Sequence, residues 1–302
     1  MALNFKELKQ ARSTSFLALQ AEVEKKAEYG AKDVSYWQPT VDKAGNGFAI
    51  IRFLPEPANE ALPFVKLFTH AFKGPTGKWF IENSRTTIGE SDPVSEYNSE
   101  LWAVSEDDDS PTRKQARDQK RKLTYISNIY VIKDSGNPEN EGKVFRYKYG
   151  KKIYDKINAK MFPEFEGDAK FNPFDLWEGA DFKVKIRQVA GFRNYDASEF
   201  AAPAPLFKDD DAMEAVWQKC YPLAELIAPD KFKSYEELKA QLTKVLGGTA
   251  APTARTAEEA APTASYAPRA RTAAAPSAPE AVSEEIAAEG DDLSYFEKLA
   301  QE

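Results

Sequence analysis

The chain has 302 residues, of which 42% are hydrophobic and 12% aromatic, so it is long and apolar enough to bury a substantial core. Its single cysteine and single histidine exclude an intrachain disulfide and a zinc site built from thiolates and imidazoles, and they favour a reducing compartment. The net charge of −7 is uneven. Residues from Gly247 onward carry −6 and the rest carry −1, which leaves room for a basic groove in the body of the protein.

Residues 4–28 show the apolar spacing of an amphipathic helix, and a small basic and hydroxyl cluster lies ahead of the apolar face. That cluster consists of Lys6, Lys9, Arg12, Ser13 and Thr14. The apolar face is too short to form a domain, so we expect residues 1–28 to be an arm that docks on another surface. No apolar stretch of the sequence approaches the roughly 18 residues of a membrane span, and the N-terminus lacks a signal-peptide core, so we expect a cytoplasmic protein.

Residues 36–196 have the composition and alternation of β-strands. Turns rich in Gly and Pro separate the predicted strands, which lie at residues 47–55, 64–73, 78–81, 122–133, 143–149 and 181–189. Five or six strands with long connections fit a small barrel such as the oligonucleotide-binding (OB) fold, and a β-sandwich is also compatible with them. Residues 84–122 lack apolar periodicity and end in a basic run, which predicts an insertion into this core.

Helical spacing returns at residues 211–227 and 234–246. Ser234 and Glu237 have the spacing of a capping box at the start of the second helix, and Gly247 is a typical helix stop. Together with the β-rich region, these helices predict a mixed α/β, mainly β core over residues 29–248.

Beyond this core the composition changes abruptly. Residues 249–282 consist mostly of Ala, Pro, Thr and Ser, which cannot form a core, so they predict a disordered linker. Residues 283–302 are acidic with a few embedded apolar residues, which indicates a partner-docking tail on that linker.

The stretch from Lys143 to Lys156 carries six basic residues, one acid and four aromatic residues. Alternation predicts a strand up to Tyr149, and after Gly150 the apolar residues follow a helical spacing. Interleaved cations and rings suit single-stranded nucleic acid, because phosphates need charge and unpaired bases need stacking surfaces. Ordinary packing of a half-buried strand is the alternative interpretation.

Several long segments resemble the single-stranded DNA-binding proteins of T-even bacteriophages. They include Asp42-Lys-Ala-Gly-Asn-Gly-Phe-Ala-Ile-Ile-Arg-Phe-Leu-Pro55 and Pro138-Glu-Asn-Glu-Gly-Lys-Val-Phe-Arg-Tyr-Lys-Tyr-Gly-Lys-Lys-Ile-Tyr-Asp-Lys-Ile-Asn158. Shorter matches lie at residues 177–180, 191–196 and 231–238. The similarity runs in order over most of residues 1–247.

The resemblance implies an OB-fold core that binds single-stranded DNA cooperatively and without sequence preference. It implies roles in phage DNA replication, recombination and repair, in which such a protein coats and protects single strands and destabilises duplexes in the infected bacterium. The N-terminal arm would dock onto the next copy along the DNA through its basic and hydroxyl cluster. The acidic tail would recruit phage proteins such as the polymerase, the helicase or primase loader and the recombination mediator.

The family also implies a structural zinc ion held by one His and three Cys. The corresponding positions in this chain are His70, Ser84, Asp92 and Ser95. Because structural zinc sites use thiolate and imidazole ligands, we expect no metal and no other cofactor here. We expect the insertion to be held instead by packing around Trp102 and Tyr97.

The predicted DNA-binding groove combines basic and aromatic residues of the strands and of the insertion. Its phosphate contacts are predicted to be Lys66, Arg85, Lys120, Arg121, Lys122, Arg146, Lys148, Lys183, Lys185 and Arg187. Its base-stacking residues are predicted to be Trp79, Phe80, Tyr125, Tyr147, Tyr149, Phe192 and Tyr195.

Three other functions are compatible with parts of the sequence. An RNA-binding or translational regulatory protein could use the same groove, and comparison of DNA and RNA affinities separates the two. A metal-dependent nuclease would need paired carboxylates on regular elements, whereas the acidic runs 107–109 and 209–211 are typical of solvated loops. A purely structural protein would leave the basic strands unexplained, so we expect a DNA-binding protein rather than an enzyme.

Overall fold

The computed structural model describes residues 33–248. The predicted N-terminal arm, the linker and the acidic tail therefore lie outside the described residues. The chain divides into two compact units, residues 1–37 and residues 38–302. The described part of the first unit contains one short strand, β1 (Tyr36–Trp37), and the other described elements belong to the second unit.

The second unit is a mixed α/β structure with a large sheet. Its described strands are β2 (Gly47–Phe53), β3 (Phe64–Lys73), β4 (Trp79–Asn83), β5 (Lys122–Asp134), β6 (Val144–Tyr149), β7 (Phe182–Val189), β8 (Phe192–Asn194) and β9 (Glu199–Phe200). Its described α-helices are α1 (Pro93–Val104), α2 (Pro111–Asp118), α3 (Lys151–Met161), α4 (Asp210–Trp217) and α5 (Tyr235–Leu246). All six strands predicted from alternation are present.

Strand β5 is the centre of the sheet. Its residues 125–130 pair with β6 on one edge. On the other edge its first half pairs with β3 and its second half with β2. A strand that is paired on both edges and covered on both faces buries successive side chains in both orientations, and residues 125–129 of β5 are all buried. The N-terminal end of β5 is therefore fixed between β3 and β6.

The sheet does not close into a barrel. It continues from β2 to β7, which also pairs with β8 and β9, while β4 pairs only with β3 among the described strands. No described pairing joins β4 or β6 back to β7, so the predicted closed barrel is corrected to an open sheet. The coarser prediction of a β-rich α/β core is confirmed.

Two hydrophobic clusters fix the helices on the sheet. The first joins the hairpin β3–β4 to α5, whose buried face contains Leu238, Leu242 and Val245. The second joins residues from β6 to α4 through Met213 and Val216. Helix burial of this kind supplies most of the stability of short helices in proteins.

Helix α5 begins and ends as the sequence predicts. The hydroxyl of Ser234 accepts a hydrogen bond from the backbone N–H of Glu237, and the Glu237 carboxylate accepts one from the backbone N–H of Ser234. Gly247 ends the helix in the left-handed conformation (φ 84°), which costs glycine little because it lacks a Cβ. The capping box and the helix stop are thus both confirmed.

The predicted helix at residues 211–227 is shorter than expected. Helix α4 ends at Trp217. Pro222 disfavours helical geometry at the residue before it, and the backbone N–H of Tyr221 donates instead to the side chain of Asn128 (3.0 Å). The chain then continues as short 3-10 turns at Ala224–Ile227 and Pro229–Lys231.

The insertion at residues 84–122 is more regular than its sequence suggests. It contains a 3-10 turn at Arg85–Ile88 and the two helices α1 and α2. The guanidinium of Arg113 on α2 lies 4.4 Å from the ring centroid of Trp102 on α1, and Tyr97 packs against the first hydrophobic cluster. The expected packing around Trp102 and Tyr97 is therefore present.

Candidate nucleic-acid interface

A cleft of about 750 Å³ lies where the first residues of β5 meet the end of β6 and the start of α3. Eight of the side chains that line it are cationic and one, Asp155, is acidic. The cations are Arg117, Lys120, Arg121, Lys122, Lys148, Lys151, Lys152 and Arg193. This local excess of positive charge is opposite in sign to the net charge of the chain, so a polyanion is attracted to the cleft.

The junction between β6 and α3 brings three of these cations together. Lys148 precedes the last residue of β6, and Lys151 and Lys152 open α3 after the N-cap residue Gly150. The first turn of α3 has no acidic residue and no capping side chain, although Lys151 forms an ion pair with Asp155 one turn later (2.6 Å). Cations at the positive end of a helix are unfavourable, and a bound anion relieves that repulsion. The local sequence thus favours anion binding over helix stability.

Tyrosine rings form a stack along the cleft. The ring of Tyr154 on α3 lies parallel to that of Tyr125 (centroids 4.0 Å apart, 8° between planes), and Tyr125 stacks in turn on Tyr149 (5.7 Å, 16°). Tyr125 and Tyr149 are only 5% and 1% exposed, and the Tyr149 hydroxyl contacts that of Ser127 (2.9 Å). Tyr154 is half-buried, so it is the accessible end of the stack.

The two buried tyrosine hydroxyls of this stack, those of Tyr125 and Tyr149, remain protonated. Burial, followed by the neighbouring Tyr154 and Asp155, raises the pKa of Tyr125. Burial also raises the pKa of Tyr149. Neutral rings do not repel phosphates, so the stack is electrostatically compatible with the cations around it.

The structure brings about half of the predicted groove residues into this cleft. They are Lys120, Arg121, Lys122, Tyr125, Tyr147, Lys148, Tyr149 and Tyr195. It also adds cationic and aromatic residues that the predicted groove did not contain, namely Phe68, Arg117, Lys151, Lys152, Tyr154 and Arg193. Arg193 directly follows Phe192, and Lys151, Lys152 and Tyr154 come shortly after Tyr149, so proximity in the sequence to predicted residues is the available signal for these four.

Other predicted residues lie outside the cleft lining. Lys66 lies near the lining, because its ammonium is 6.0 Å from the ring centroids of Tyr125 and Tyr154, which both line the cleft. Phe192 is 49% exposed on β8, next to Arg193, which does line the cleft. The remaining residues of this group are Trp79, Arg146, Lys183, Lys185 and Arg187. Their contact with DNA stays a prediction.

Several of those side chains have partners within the protein. Lys185 forms an ion pair with Glu199 (2.7 Å), and the Arg146 guanidinium lies 5.3 Å from the ring centroid of Tyr221. The ion pair with Lys185 holds the pKa of Glu199 below its usual value, with further help from Lys183. Lys185 and Arg146 therefore each have a partner outside the cleft lining.

Two predicted contacts are corrected by the structure. Phe80 has no exposed surface and stacks on Phe72 (5.2 Å) in the cluster beneath α5, so no base can reach its ring. The guanidinium of Arg85 donates to the backbone oxygens of Ser91 (3.2 Å) and Lys233 (2.8 Å) and forms an ion pair with Glu90. Arg85 is therefore a structural residue that ties the insertion to the segment before α5.

The four positions that the family resemblance assigns to zinc lie together in the structure. His70 and Asp92 are buried and joined by a contact of 3.1 Å between Nε2 and Oδ1, and the Ser84 hydroxyl donates to Oδ2 of Asp92 (3.0 Å). Ser95 takes part through its backbone N–H, which donates to Oδ1 of Asp92 (2.9 Å). Within residues 33–248, no three His, Cys, Asp or Glu side chains form a group that could hold a metal ion.

Two further predictions concern self-association and the membrane. The self-association residues Lys9, Arg12, Ser13 and Thr14 lie outside residues 33–248. In the part of the chain that the structure describes, no helix is long and apolar enough to cross a membrane.

Comparisons with known proteins agree with the basic and aromatic character of the cleft. The family described as "gp32 DNA binding protein like" matches residues 45–246. The chain is 40% identical over 261 residues to the single-stranded DNA-binding protein of Enterobacteria phage T4, covering 83% of this chain and 85% of that protein. It is 41% identical over 246 residues to the protein of the same name from Enterobacteria phage T2, covering 78% and 80%.

A shorter match agrees with these two. The single-stranded DNA-binding protein of Escherichia phage SV14 is 45% identical over 76 residues, covering 24% of this chain and 66% of that protein. The family match spans more than half of the chain, and the long alignments include both the cleft and the insertion. The chain therefore belongs to the gp32-like family of DNA-binding proteins.

Proposed function

We propose that this chain binds single-stranded DNA without sequence preference and coats strands exposed during phage DNA replication, recombination and repair. It acts as a binding protein rather than an enzyme, in the cytoplasm of the infected bacterium. Membership of the gp32-like family, and relatives that are themselves single-stranded DNA-binding proteins, support this proposal. The single observation that carries it is the cleft, where eight cations surround a stack of tyrosines.

Sequence-independent binding follows from the chemistry of the cleft. Cations attract phosphates of any sequence, and every base has a face that can stack on an aromatic ring. The described lining contains no Asn or Gln, which are the side chains that read adenine edges. Affinity should therefore depend on salt and on the number of nucleotides far more than on base order.

The proposal extends to the organisation of the chain. Residues 29–248, with the insertion at 84–122, form the DNA-binding core, and the pairing of β5 with β2, β3 and β6 supports its assignment as an opened OB-type sheet. Residues 1–28 link neighbouring copies on DNA, which gives cooperative binding. Residues 249–282 tether the acidic segment 283–302, which docks replication and recombination proteins.

The test is a comparison of affinities for fluorescent oligomers of equal length. We expect tight, salt-sensitive binding to oligo-dT and to mixed-sequence DNA, with much weaker binding to duplex DNA. Tighter binding to the matched RNA oligomer would favour the alternative, an RNA-binding or translational regulatory protein that uses the same cleft. Binding to none of these strands at low salt would overturn the proposal.

A further inference from the structure

The base of the insertion is held by one buried carboxylate. Oδ1 of Asp92 accepts from Nε2 of His70 (3.1 Å) and from the backbone N–H groups of Val94 (3.1 Å) and Ser95 (2.9 Å). The side chains of Asp92 and His70 are 0% and 1% exposed. Asp92 is also the N-cap residue of α1, so the same oxygen caps the helix and binds the ring.

The second oxygen of Asp92 connects α1 to the end of β4. Oδ2 accepts from the hydroxyl of Ser84 and from the backbone N–H of Arg85, both at 3.0 Å. The other ring nitrogen of His70, Nδ1, lies 3.1 Å from the backbone oxygen of Gln119, where the insertion returns to β5. We call His70, Ser84 and Asp92 the clasp, because they join β3, β4, the start of α1 and the end of the insertion.

The clasp is saturated with hydrogen bonds. Five donors surround the two oxygens of Asp92, and the two ring nitrogens of His70 each lie within hydrogen-bonding distance of an oxygen, one of Asp92 and one of the Gln119 backbone. Burial acts to raise the pKa of Asp92, but the hydrogen bond and charge of His70 and the backbone donors outweigh it, so that pKa lies well below its usual value. The Asp92 carboxylate is therefore ionised, and protein donors form hydrogen bonds with both of its oxygens in place of water.

Zinc does not fit this set of residues. The four positions supply one imidazole, one carboxylate and two hydroxyls, whereas structural zinc sites are built from thiolates and imidazoles. Both ring nitrogens of His70 already have a partner, Asp92 for one and the Gln119 backbone oxygen for the other. A zinc ion would therefore have to displace one of these contacts. The chemistry of the cluster thus disagrees with the zinc site that the family resemblance implies.

We propose that residues 84–119 are fastened to the β3–β4 hairpin by the clasp in place of a metal ion, so that this protein folds without zinc. The clasp makes the same connections that a four-ligand metal site would make, but with hydrogen bonds to a central anion. The inference goes beyond the proposed function, because it concerns how the insertion that carries Arg117 and Lys120 is held, whatever ligand the cleft binds.

The first experiment measures the metal content and stability of the full-length protein. We expect substoichiometric zinc by elemental analysis after purification in zinc-containing medium, and an unfolding temperature that neither a chelator nor added zinc changes. One zinc per chain, removed by the chelator with a fall in unfolding temperature, would overturn the proposal. Neither measurement involves DNA, so the result stands apart from that of the proposed function.

The second experiment breaks the clasp. Asp92→Asn removes the central charge and turns one accepting oxygen into a donating NH2 group that faces other donors, so we expect the unfolding temperature to fall by about 5–10 °C. The control, Asp118→Asn, changes an exposed acid at the end of α2 and should leave the unfolding temperature unchanged. Equal unfolding temperatures for the two variants would contradict the clasp.

Ser84→Ala offers a milder version of the same test. It removes one donor to Asp92 and keeps the charge, so we expect a smaller fall in unfolding temperature than for Asp92→Asn, again without sensitivity to chelators. If Asp92→Asn does not fold, this variant and the metal content of the parent protein still decide the question. An unfolding temperature of Ser84→Ala at or above that of the parent protein would count against the clasp.

Discussion

At the scale of single residues, Tyr154 is the ring best placed to meet a base. It is half-buried at the outer end of the stack, whereas Tyr125 lies between Tyr154 and Tyr149 and has both faces covered. Lys66 lies 6.0 Å from the Tyr154 ring centroid and can meet the phosphate of a stacked nucleotide. Base stacking on the cleft should therefore begin at Tyr154.

Tyr154→Leu should weaken binding to oligo-dT by about 1–3 kcal/mol, the usual contribution of one stacked base. The loss should be similar for mixed sequences, because stacking does not depend on base identity. Fluorescence anisotropy titrations measure it. Tyr235→Leu is the matched control, since Tyr235 is another half-buried tyrosine, on α5 and outside the cleft; equal losses for both variants would refute a specific role for Tyr154.

The charge of the cleft predicts a salt effect at Lys120. Replacing Lys120 by Ala should lower the slope of log affinity against log salt by about 0.7, the value for one phosphate contact on a single strand. Lys114→Ala, in the same insertion but paired with Asp109 (3.4 Å) and outside the cleft, should leave the slope unchanged. A parental slope for Lys120→Ala would remove this residue from the interface.

The sequence predicts the surroundings of a side chain correctly where residues nearby in the sequence form them. It does not where residues far along the chain form them. Alternation places Phe80 on a strand, but α5, more than 150 residues later, covers its ring. Tyr154 is absent from the predicted groove because the helical spacing after Gly150 identifies only the buried Ile153 and Ile157. The contact of Tyr154 with Tyr125 depends on the pairing of β5 with β6.

At the scale of elements, α5 shows how a helix start contributes to the core. Its buried face covers Phe72 and Phe80, and its first turn is fixed by the capping box of Ser234 and Glu237. The same helix borders the insertion, because Tyr235 donates a hydrogen bond to Glu96 on α1 (2.6 Å) and this bond raises the pKa of Tyr235 to about 12. Fraying of α5 should therefore loosen both the hairpin and the insertion.

Ser234→Ala should destabilise the protein by about 1 kcal/mol, since the N-terminal N–H groups of α5 lose a capping oxygen. The unfolding temperature should fall by about 2–4 °C for a domain of this size. Ser99→Ala is the control, because Ser99 lies within α1 and its hydroxyl donates to the Ser95 carbonyl of its own helix (2.9 Å). Equal effects in a thermal unfolding experiment would mean that the cap does not contribute.

The helices of the insertion show what a search for apolar periodicity misses. Helix α2 buries only Ala116, and α1 buries four residues, two of which are Pro93 and Asn98. Their start signals are nevertheless in the sequence, because Asp92 and Ser110 are N-cap residues followed by proline at the first helical position. Capping signals would have identified these helices, whereas hydrophobic periodicity could not.

At the scale of the whole molecule, positive and negative charges are concentrated in different parts of the sequence. The cleft is lined by eight cations and one acid, and residues 283–302 contain seven acids and one base. Segments of opposite sign attract each other when a flexible tether lets them meet, and salt weakens that attraction. The acidic segment is therefore expected to compete with DNA for the cleft.

Deletion of residues 283–302 should tighten binding to oligo-dT and lower the melting temperature of duplex DNA further than the full-length protein does. Duplex melting reports on the same affinity, since a protein that prefers single strands stabilises the melted form by mass action. Ultraviolet melting curves at low and high salt measure the effect. Unchanged binding at low salt would exclude competition by the tail.

The absence of a capping side chain at Gly150 has a consequence for protein engineering. Space around this position would admit a Cβ, and ordinary helix rules recommend Asp there, which would gain at most a few tenths of a kcal/mol over glycine. The new carboxylate would stand beside Lys148, Lys151 and Lys152, the cations that we propose bind phosphate. We therefore expect Gly150→Asp to stabilise the helix slightly and to weaken DNA binding, so that stability and affinity change in opposite directions at this one glycine.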